Sequence, residues 1–208
     1  MAKLRFTYGP MRAAKTATLL IEAHNFELRE GRRIAVAKPS IDDRDGQEVS
    51  TRAGVVPRKI DFAITPEMDV HRRMTNLGGT VISRLFVDEA QFLNPEQIDQ
   101  INAVALDLGI SVEAFGLRTD FMSNLFPGSR RLFEVASELR ELNVPCNCEH
   151  GDNAIYNVRY VDGVFIEHGD QVAIEKGNVT YECLCPQCYF DLTQPSETVT
   201  ESDILGAN

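Results

Sequence analysis

The fold is decided by the stretch Tyr8-Gly9-Pro10-Met11-Arg12-Ala13-Ala14-Lys15-Thr16, which has the spacing of a phosphate-binding loop. In such a loop, backbone N–H groups of a strand-to-helix turn surround phosphate oxygens, a lysine reaches the outer phosphates, and a Ser or Thr hydroxyl holds Mg²⁺. Lys15 and Thr16 supply both side chains. We therefore predict a nucleoside triphosphate site at the N-terminus of a helix.

Ala14 stands where the pattern has its second glycine. The added methyl group is tolerated if the backbone φ angle there is negative, and is strained if φ is positive. The sequence leaves both conformations open. The departure therefore puts the affinity for a nucleoside triphosphate in question without removing the prediction of a phosphate site.

The segments on either side of the loop alternate between two periodicities. Apolar residues at every second position predict strands, and helical spacing predicts the helices between them. The predicted strands are 4–8, 33–38, 81–87 and 111–116, and the predicted helices are 16–30, 69–77, 95–108 and 129–139. This order indicates an α/β fold: a P-loop-like, mostly parallel sheet flanked by helices, with ligands at the carboxyl ends of its strands.

The sequence pattern and composition change near residue 143. From there it has short strand-like segments, turn residues and all five cysteines. We predict a P-loop α/β domain over residues 1–142, a small zinc-binding lobe over 143–192, and a polar, acidic, disordered tail over 193–208. Residues 39–59 resist regular assignment and are expected to form a mobile connection near the site.

The cysteines are clustered, and we expect metal ligands rather than disulfides, since nothing in the sequence indicates secretion. Cys185 and Cys188 have the Cys-x-x-Cys spacing that grips one tetrahedral zinc ion, and Cys146 with Cys148 would complete a closed, structural site. A redox role for the Cys185–Cys188 pair is an alternative. Two further residues lie close enough in sequence to replace a ligand: His150 and Cys183.

The formal net charge of −10 disfavours a nucleic-acid polymer as partner, because phosphate backbones recruit Lys- and Arg-rich surfaces. A small phosphorylated ligand needs only a local basic site. The sequence has no apolar run of about 18 residues and no signal-peptide pattern at its N-terminus. We expect a cytoplasmic protein that binds neither nucleic acid nor membranes.

Two carboxylates, Asp88 and Glu89, directly follow the predicted strand 81–87. In phosphate-transferring sheets an acid at this place contacts Mg²⁺, and a neighbouring acid can polarise an attacking hydroxyl. We assign the metal role to Asp88 and the base role to Glu89. Alone, the pair would fit a helix N-cap equally well; Lys15 and Thr16 favour the catalytic interpretation.

Several motifs together resemble the cellular and bacterial type of thymidine kinase. They occur in that family's order: Gly9-Pro10-Met11, Asp88-Glu89-Ala90-Gln91-Phe92, Gly116-Leu117-Arg118-Thr119-Asp120-Phe121, Phe126-Pro127-Gly128-Ser129, and the cysteine pairs. The resemblance spans residues 3–190. It implies a zinc-containing salvage enzyme, a homotetramer, that transfers the γ-phosphate of ATP to the 5′-hydroxyl of thymidine with Mg²⁺.

The resemblance also implies roles for individual residues. Glu89 would be the general base. ATP and Mg²⁺ would be bound by Gly9, Pro10, Met11, Arg12, Ala13, Ala14, Lys15, Thr16, Asp42, Arg44, Asp88 and Gln91. Thymidine would be surrounded by Met11, Phe92, Leu117, Phe121, Phe126, Asn157 and Tyr181, the tyrosine closing a lasso-like loop between the cysteine pairs. Without the resemblance, the aromatic residues in this set would be interpreted as core packing.

Two other functions stay open at this point. Ala14 fits a nucleotide-binding or regulatory protein with weakened catalysis, although such a protein has no reason to keep every polar side chain of the site. A P-loop ATPase that acts on nucleic acid fits the loop and the cysteines, but the acidic charge disfavours it. Deoxyuridine is expected as a second substrate, because it lacks only the methyl group of thymine.

Overall fold

The computed structural model describes residues 1–28, 33–42, 46–51, 53–77, 82–149, 151–169, 171 and 178–194. Its strands are β1 (Leu4–Gly9), β2 (Arg33–Pro39), β3 (Glu48–Val49), β4 (Arg58–Lys59), β5 (Phe62–Ile64), β6 (Ile82–Val87), β7 (Ser111–Leu117), β8 (Glu138–Glu141), β9 (Val144–Pro145), β10 (Asn153–Ala154), β11 (Tyr156–Val161), β12 (Val164–Ile166) and β13 (Val179–Leu184). Its helices are α1 (Lys15–Glu27), α2 (Val70–Asn76), α3 (Pro95–Asp107), α4 (Pro127–Val135) and α5 (Pro186–Thr193).

A six-stranded sheet in the order β5-β2-β6-β7-β1-β8 forms the centre of the molecule. Every neighbouring pair in it runs parallel. Parallel strands need crossover connections, and α1, α2, α3 and α4 lie in the connections between them. The predicted mostly parallel α/β sheet is confirmed.

Both faces of the sheet are covered, which explains the nearly continuous apolar runs of its central strands. Ala35 and Ala37 of β2 point into the larger core, beneath α2, α3 and α4. Ile34 and Val36 of the same strand point into the smaller core beneath α1. The alternation along one strand therefore divides the hydrophobic residues between two layers.

The predicted helix 129–139 is wrong beyond Val135. The helix ends there, and Glu138–Glu141 forms β8, an edge strand paired with β1. Arg5 of β1 holds Glu138 with a side-chain hydrogen bond of 2.9 Å, and the Ser137 backbone N–H donates to the Leu4 carbonyl. Pairing with β1 thus overrides the helix propensity of this short, charged segment.

The remaining described strands lie outside this sheet. β3 and β4 form a small hairpin in the segment that resisted assignment. β9 pairs with β10, and β12-β11-β13 is a three-stranded antiparallel sheet followed by α5. We call residues from 143 onward the C-terminal lobe. Most of the predicted tail, residues 195–208, lies outside the described residues. None of the described helices is long and apolar enough to cross a membrane.

Candidate active site

The phosphate-binding loop connects β1 to α1 with an unusual backbone. Arg12 and Ala14 have positive φ angles of 64° and 51°, whereas Ala13 between them does not. Alternation of this kind turns successive N–H groups toward one concave side, which is how such loops attract anions. The N-terminus of α1 adds its own partial positive charge at the same place.

Ala14 therefore adopts the left-handed conformation that usually belongs to glycine, with φ 51° and ψ 29°. For an L-residue this conformation costs about 1–2 kcal/mol. The question left open by the sequence is thus answered: the missing glycine is a position of backbone strain.

Lys15, the first residue of α1, folds back over the loop. Its Nζ donates to the carbonyl oxygens of Pro10 at 2.7 Å and Gly9 at 3.3 Å.

A side chain added at Gly9 would come within 2.7 Å of the Leu142 carbonyl oxygen. The absence of a side chain there lets the C-terminal end of β8 approach the loop closely.

Thr16 and Asp88 meet beside the loop, although 72 residues separate them in sequence. The Thr16 hydroxyl donates to Oδ2 of Asp88 at 3.0 Å. Burial of the Asp88 carboxylate and the neighbouring charge of Glu89 raise its pKa to about 7. A hydroxyl and a carboxylate in contact next to a phosphate loop are the pair that holds Mg²⁺ in many nucleotide sites.

Glu89 lies at the start of a short 3-10 turn, Ala90–Phe92, with a φ angle of 48°. The Gln91 side-chain amide donates to its carboxylate. The other end of that amide, Oε1, accepts the backbone N–H of Leu117 at 3.0 Å. Gln91 is buried and fixes Glu89 relative to the end of β7, a role that the sequence did not indicate.

A single cavity of about 1010 Å³ joins these groups. Its lining includes the loop residues Met11, Arg12, Ala13, Ala14, Lys15 and Thr16, the polar residues Asp42, Glu89, Gln91 and Asn157, and the apolar or aromatic residues Phe92, Leu117, Phe121, Phe126 and Tyr181. Gly9, Pro10 and Asp88 lie directly behind this lining, in contact with Lys15 or Thr16. Arg44 lies outside the described residues.

Aromatic rings form part of the cavity lining. Phe92 and Phe126 pack edge to face, with ring centroids 5.6 Å apart. The Phe121 ring is covered by the Arg159 guanidinium group, 3.6 Å from its centroid. A flat base fits between such apolar faces.

Several lining residues were not assigned a role from sequence, among them Thr119, Asp120 and Gln171. Asp120 accepts the backbone N–H groups of Met122 and Asn124 at 2.9 Å, and its other oxygen accepts the Gln171 amide at 2.8 Å. Gln171 belongs to the segment between the cysteine pairs, so Asp120 ties that segment to the cavity. Thr119 lies next to it. Asp120 and Thr119 lie in the quoted Gly-Leu-x-x-x-Phe motif, which was the available signal.

Four thiols of the C-terminal lobe lie within 4.8 Å of one another: those of Cys146, Cys148, Cys185 and Cys188. Their number, chemistry and separation fit a closed tetrahedral zinc site. Cys183 is directed elsewhere, since its Sγ donates to the Met11 carbonyl oxygen at 2.9 Å. His150, the other alternative ligand, lies outside the described residues.

The loop, the Thr16–Asp88 pair and the carboxylate in the cavity define a P-loop nucleotide-binding protein of the α/β class. The family whose sequence model is described as thymidine kinase matches residues 2–189. The chain belongs to the thymidine kinase family.

Individual relatives agree with this assignment. The chain is 40% identical to a thymidine kinase of Enterobacteria phage T4 over 197 residues, which cover 93% of this chain and 98% of the relative. It is 40% identical to one of Rhizobium meliloti, over 92% and 97% of the two chains, and 35% identical to one of Encephalitozoon cuniculi, over 98% and 94%. Among solved structures, a Bacteroides Pif1 helicase bound to ssDNA aligns with a TM-score of 0.40 and 15% identity, over 67% of this chain and 38% of that chain.

Proposed function

We propose that the protein transfers the γ-phosphate of ATP to the 5′-hydroxyl of thymidine, giving thymidine monophosphate. Membership of the thymidine kinase family supports this function. The structural observation that carries it is the shared cavity, whose lining contains the phosphate loop, the aromatic rings and Glu89. Deoxyuridine is the expected second substrate.

In this proposal the phosphate loop and Lys15 bind the triphosphate, and Glu89 accepts the proton of the attacking hydroxyl. Gln91 keeps the Glu89 carboxylate oriented, because its amide is held at both ends. When bound, Mg²⁺ would neutralise phosphate charge, and Thr16 and Asp88 are the residues that would hold it. Positioning and charge stabilisation supply most of the acceleration in phosphoryl transfer.

Asp42 is a further candidate on the phosphate side. Its carboxylate lines the cavity and lies 3.5 Å from Nζ of Lys38, and both side chains are buried. The contact with Lys38 holds the Asp42 carboxylate in place beside the cavity. We propose that Asp42, and with it Arg44, acts close to the phosphates.

The four clustered cysteines would hold a structural zinc ion that ties β9 and β10 to the beginning of α5. We further propose a cytoplasmic homotetramer, by analogy with the family. The rival function, a binding protein with weakened catalysis, rests on Ala14 alone. It is disfavoured because Lys15, Thr16, Asp88 and Glu89 converge on one site.

The first test is phosphate transfer from ATP to thymidine with Mg²⁺, with deoxycytidine and no-nucleoside reactions run beside it. Glu89→Gln should lower kcat by about 10²–10⁴-fold, because the amide keeps the shape and loses the proton acceptor. Thymidine binding, measured calorimetrically, should change little. The matched control is Glu96→Gln, the same change at an exposed position at the start of α3.

The control should transfer phosphate at the wild-type rate. Equal rates in the Glu89 variant and the wild type would remove Glu89 from the base role. Wild-type protein that binds ATP and thymidine without transferring phosphate would establish the weakened binding protein instead.

A further inference from the structure

Both backbone polar groups of Met11, inside the phosphate-binding loop, are held by the C-terminal lobe. The Met11 N–H donates to Oδ1 of Asn157 at 2.7 Å. The Met11 carbonyl oxygen accepts Sγ–H of Cys183 at 2.9 Å. These partners lie 146 and 172 residues further along the chain. We call this arrangement the Met11 clamp.

The orientation of the Asn157 amide is fixed by its partners. A backbone N–H can only donate and a carbonyl can only accept, so Oδ1 must face Met11 and Nδ2 must face the Thr119 carbonyl, 3.1 Å away. The side chain is only 2% exposed. Asn157 therefore joins the phosphate loop, the segment after β7 and the strand β11 through one buried group.

The same end of the C-terminal lobe also holds the next loop residue. Nη2 of Arg12 donates to the Tyr181 carbonyl at 3.1 Å. In the antiparallel pair of β11 and β13, Asn157 lies opposite Cys183 and Arg159 lies opposite Tyr181. The register of β11 and β13 thus places Asn157, Cys183 and Tyr181 where they contact two consecutive residues of the loop. These two residues are Met11 and Arg12.

The loop needs an external constraint of this kind. Arg12 and Ala14 both have positive φ angles, and neither is a glycine. Such residues leave the left-handed region unless surrounding contacts hold them there. In the usual pattern a glycine adopts this conformation at Ala14's position without strain, whereas here hydrogen bonds to Met11 and Arg12 restrain the preceding residues.

We propose that Asn157 and Cys183 are positioning residues for phosphate transfer, which hold Met11 so that the loop keeps its anion-binding shape. The proposal deepens the kinase function and rests on the loop being the ATP site. It also changes the expected role of Asn157, from a contact to thymidine to a support of the phosphate loop. The two roles predict different binding defects.

The test measures the affinity for adenosine 5′-(β,γ-imido)triphosphate with Mg²⁺ and, separately, the affinity for thymidine alone. Asn157→Ala removes the acceptor of the Met11 N–H and should weaken analogue binding by about tenfold. Thymidine affinity should change by less than about twofold. Asn157→Asp keeps an acceptor for Met11 and should recover part of the loss.

Cys183 provides an independent pair of variants. Cys183→Ser keeps a donor for the Met11 carbonyl and should bind the analogue nearly as the wild type does, whereas Cys183→Ala should bind it several-fold more weakly. The effects of Asn157→Ala and Cys183→Ala should be non-additive, because both act on the same residue. Hydrogen exchange of the Met11 amide should accelerate in Asn157→Ala.

The matched control is Tyr156→Leu, which removes the stacked pair of Tyr156 and Tyr189 in the same lobe, with ring centroids 4.1 Å apart. It should keep the analogue affinity. Weaker thymidine binding with unchanged analogue binding in Asn157→Ala would overturn the proposal and restore the nucleoside role. Equal losses of both affinities, shared by Tyr156→Leu, would overturn it as well.

Two safeguards keep these outcomes distinct. If Asn157→Ala does not fold, the Cys183→Ser and Cys183→Ala pair makes the same comparison, and equal analogue affinities of that pair overturn the proposal. Failure of the kinase function has a separate signature, since the wild type itself would then not phosphorylate thymidine, whatever the analogue affinities of the variants.

Discussion

At the scale of single residues, Ala14 is the clearest conflict between sequence and backbone. Its left-handed conformation costs about 1–2 kcal/mol. Glycine adopts this conformation without strain but loses more chain entropy on folding than alanine does, so the substitution recovers only part of this free energy. Ala14→Gly should raise the free energy of unfolding by about 0.5–1 kcal/mol and tighten binding of the imido analogue. Chemical denaturation and calorimetry measure the two effects.

Ala13 is the natural control for that substitution, because it is adjacent, is also an alanine and does not have a positive φ. Its methyl group is buried, so Ala13→Gly should lower the free energy of unfolding by about 1 kcal/mol. Destabilisation by both glycine variants would show that Ala14 is unstrained in solution.

Asp88 makes stability depend on pH in a direction that follows from its environment. Burial and the Glu89 charge raise its pKa from 3.8 to about 7, so the native protein holds this proton more tightly than the unfolded chain does. Its contribution to stability is complete below about pH 4 and is lost as the pH rises to about 7. The slope is at most about 1.4 kcal/mol per pH unit.

The comparison is between the Mg²⁺-free wild type and Asp88→Asn, which carries no titrating group there. Between about pH 4 and pH 7 the free energy of unfolding of the wild type should fall relative to that of Asp88→Asn. Above that range the difference between the two proteins should stay constant. A constant difference across the range would place the pKa of Asp88 near its ordinary value.

At the scale of elements, sequence periodicity predicted the structure best where an element lies at the centre of the sheet. β2, β6 and β7 are buried on both faces, and their apolar runs leave little choice of structure. The helix predicted over 129–139 included the first two residues of β8, a charged and mostly exposed edge strand. Only its pairing with Arg5–Tyr8, more than a hundred residues away, makes it a strand.

The same distinction applies to the site. Lys15, Thr16, Asp88 and Glu89 could be named from motifs, because each stands at a fixed spacing from the end of a strand. Asn157 and Cys183 were named only for other roles, and their contacts with Met11 could not be predicted, since a hydrogen bond across 146 residues leaves no local pattern. Sequence therefore indicated the groups that do the chemistry better than the groups that hold them in place.

At the scale of the whole molecule, the strand order brings the residues of the candidate site to one edge of the sheet. β6, β7 and β1 are neighbours in the sheet, and their carboxyl ends carry Asp88, Leu117 and the phosphate loop. The C-terminal lobe covers this edge and contributes Asn157 and Tyr181 to the cavity. The net charge of −10 is compatible with an anionic substrate, because Arg12 and Lys15 are concentrated in the cavity lining.

In this arrangement β13 connects the thiol cluster to the phosphate loop. Cys185 follows β13 directly, and β13 carries Cys183, which contacts the phosphate loop. We expect about one zinc ion per chain. Its removal by a zinc-selective chelator, with Mg²⁺ in excess, should release the end of β13, lower the Tm and weaken binding of the imido analogue several-fold.

Re-addition of zinc should restore both the Tm and the affinity, and chelator saturated with zinc beforehand should have no effect. Asn157→Ala already lacks the hydrogen bond between Asn157 and the Met11 N–H. Zinc removal should therefore weaken binding of the imido analogue less in this variant than in the wild type. Zinc-free protein with unchanged Tm and analogue affinity would show that the cluster and the phosphate loop are independent, because a metal that holds β13 in place must stabilise whatever β13 supports.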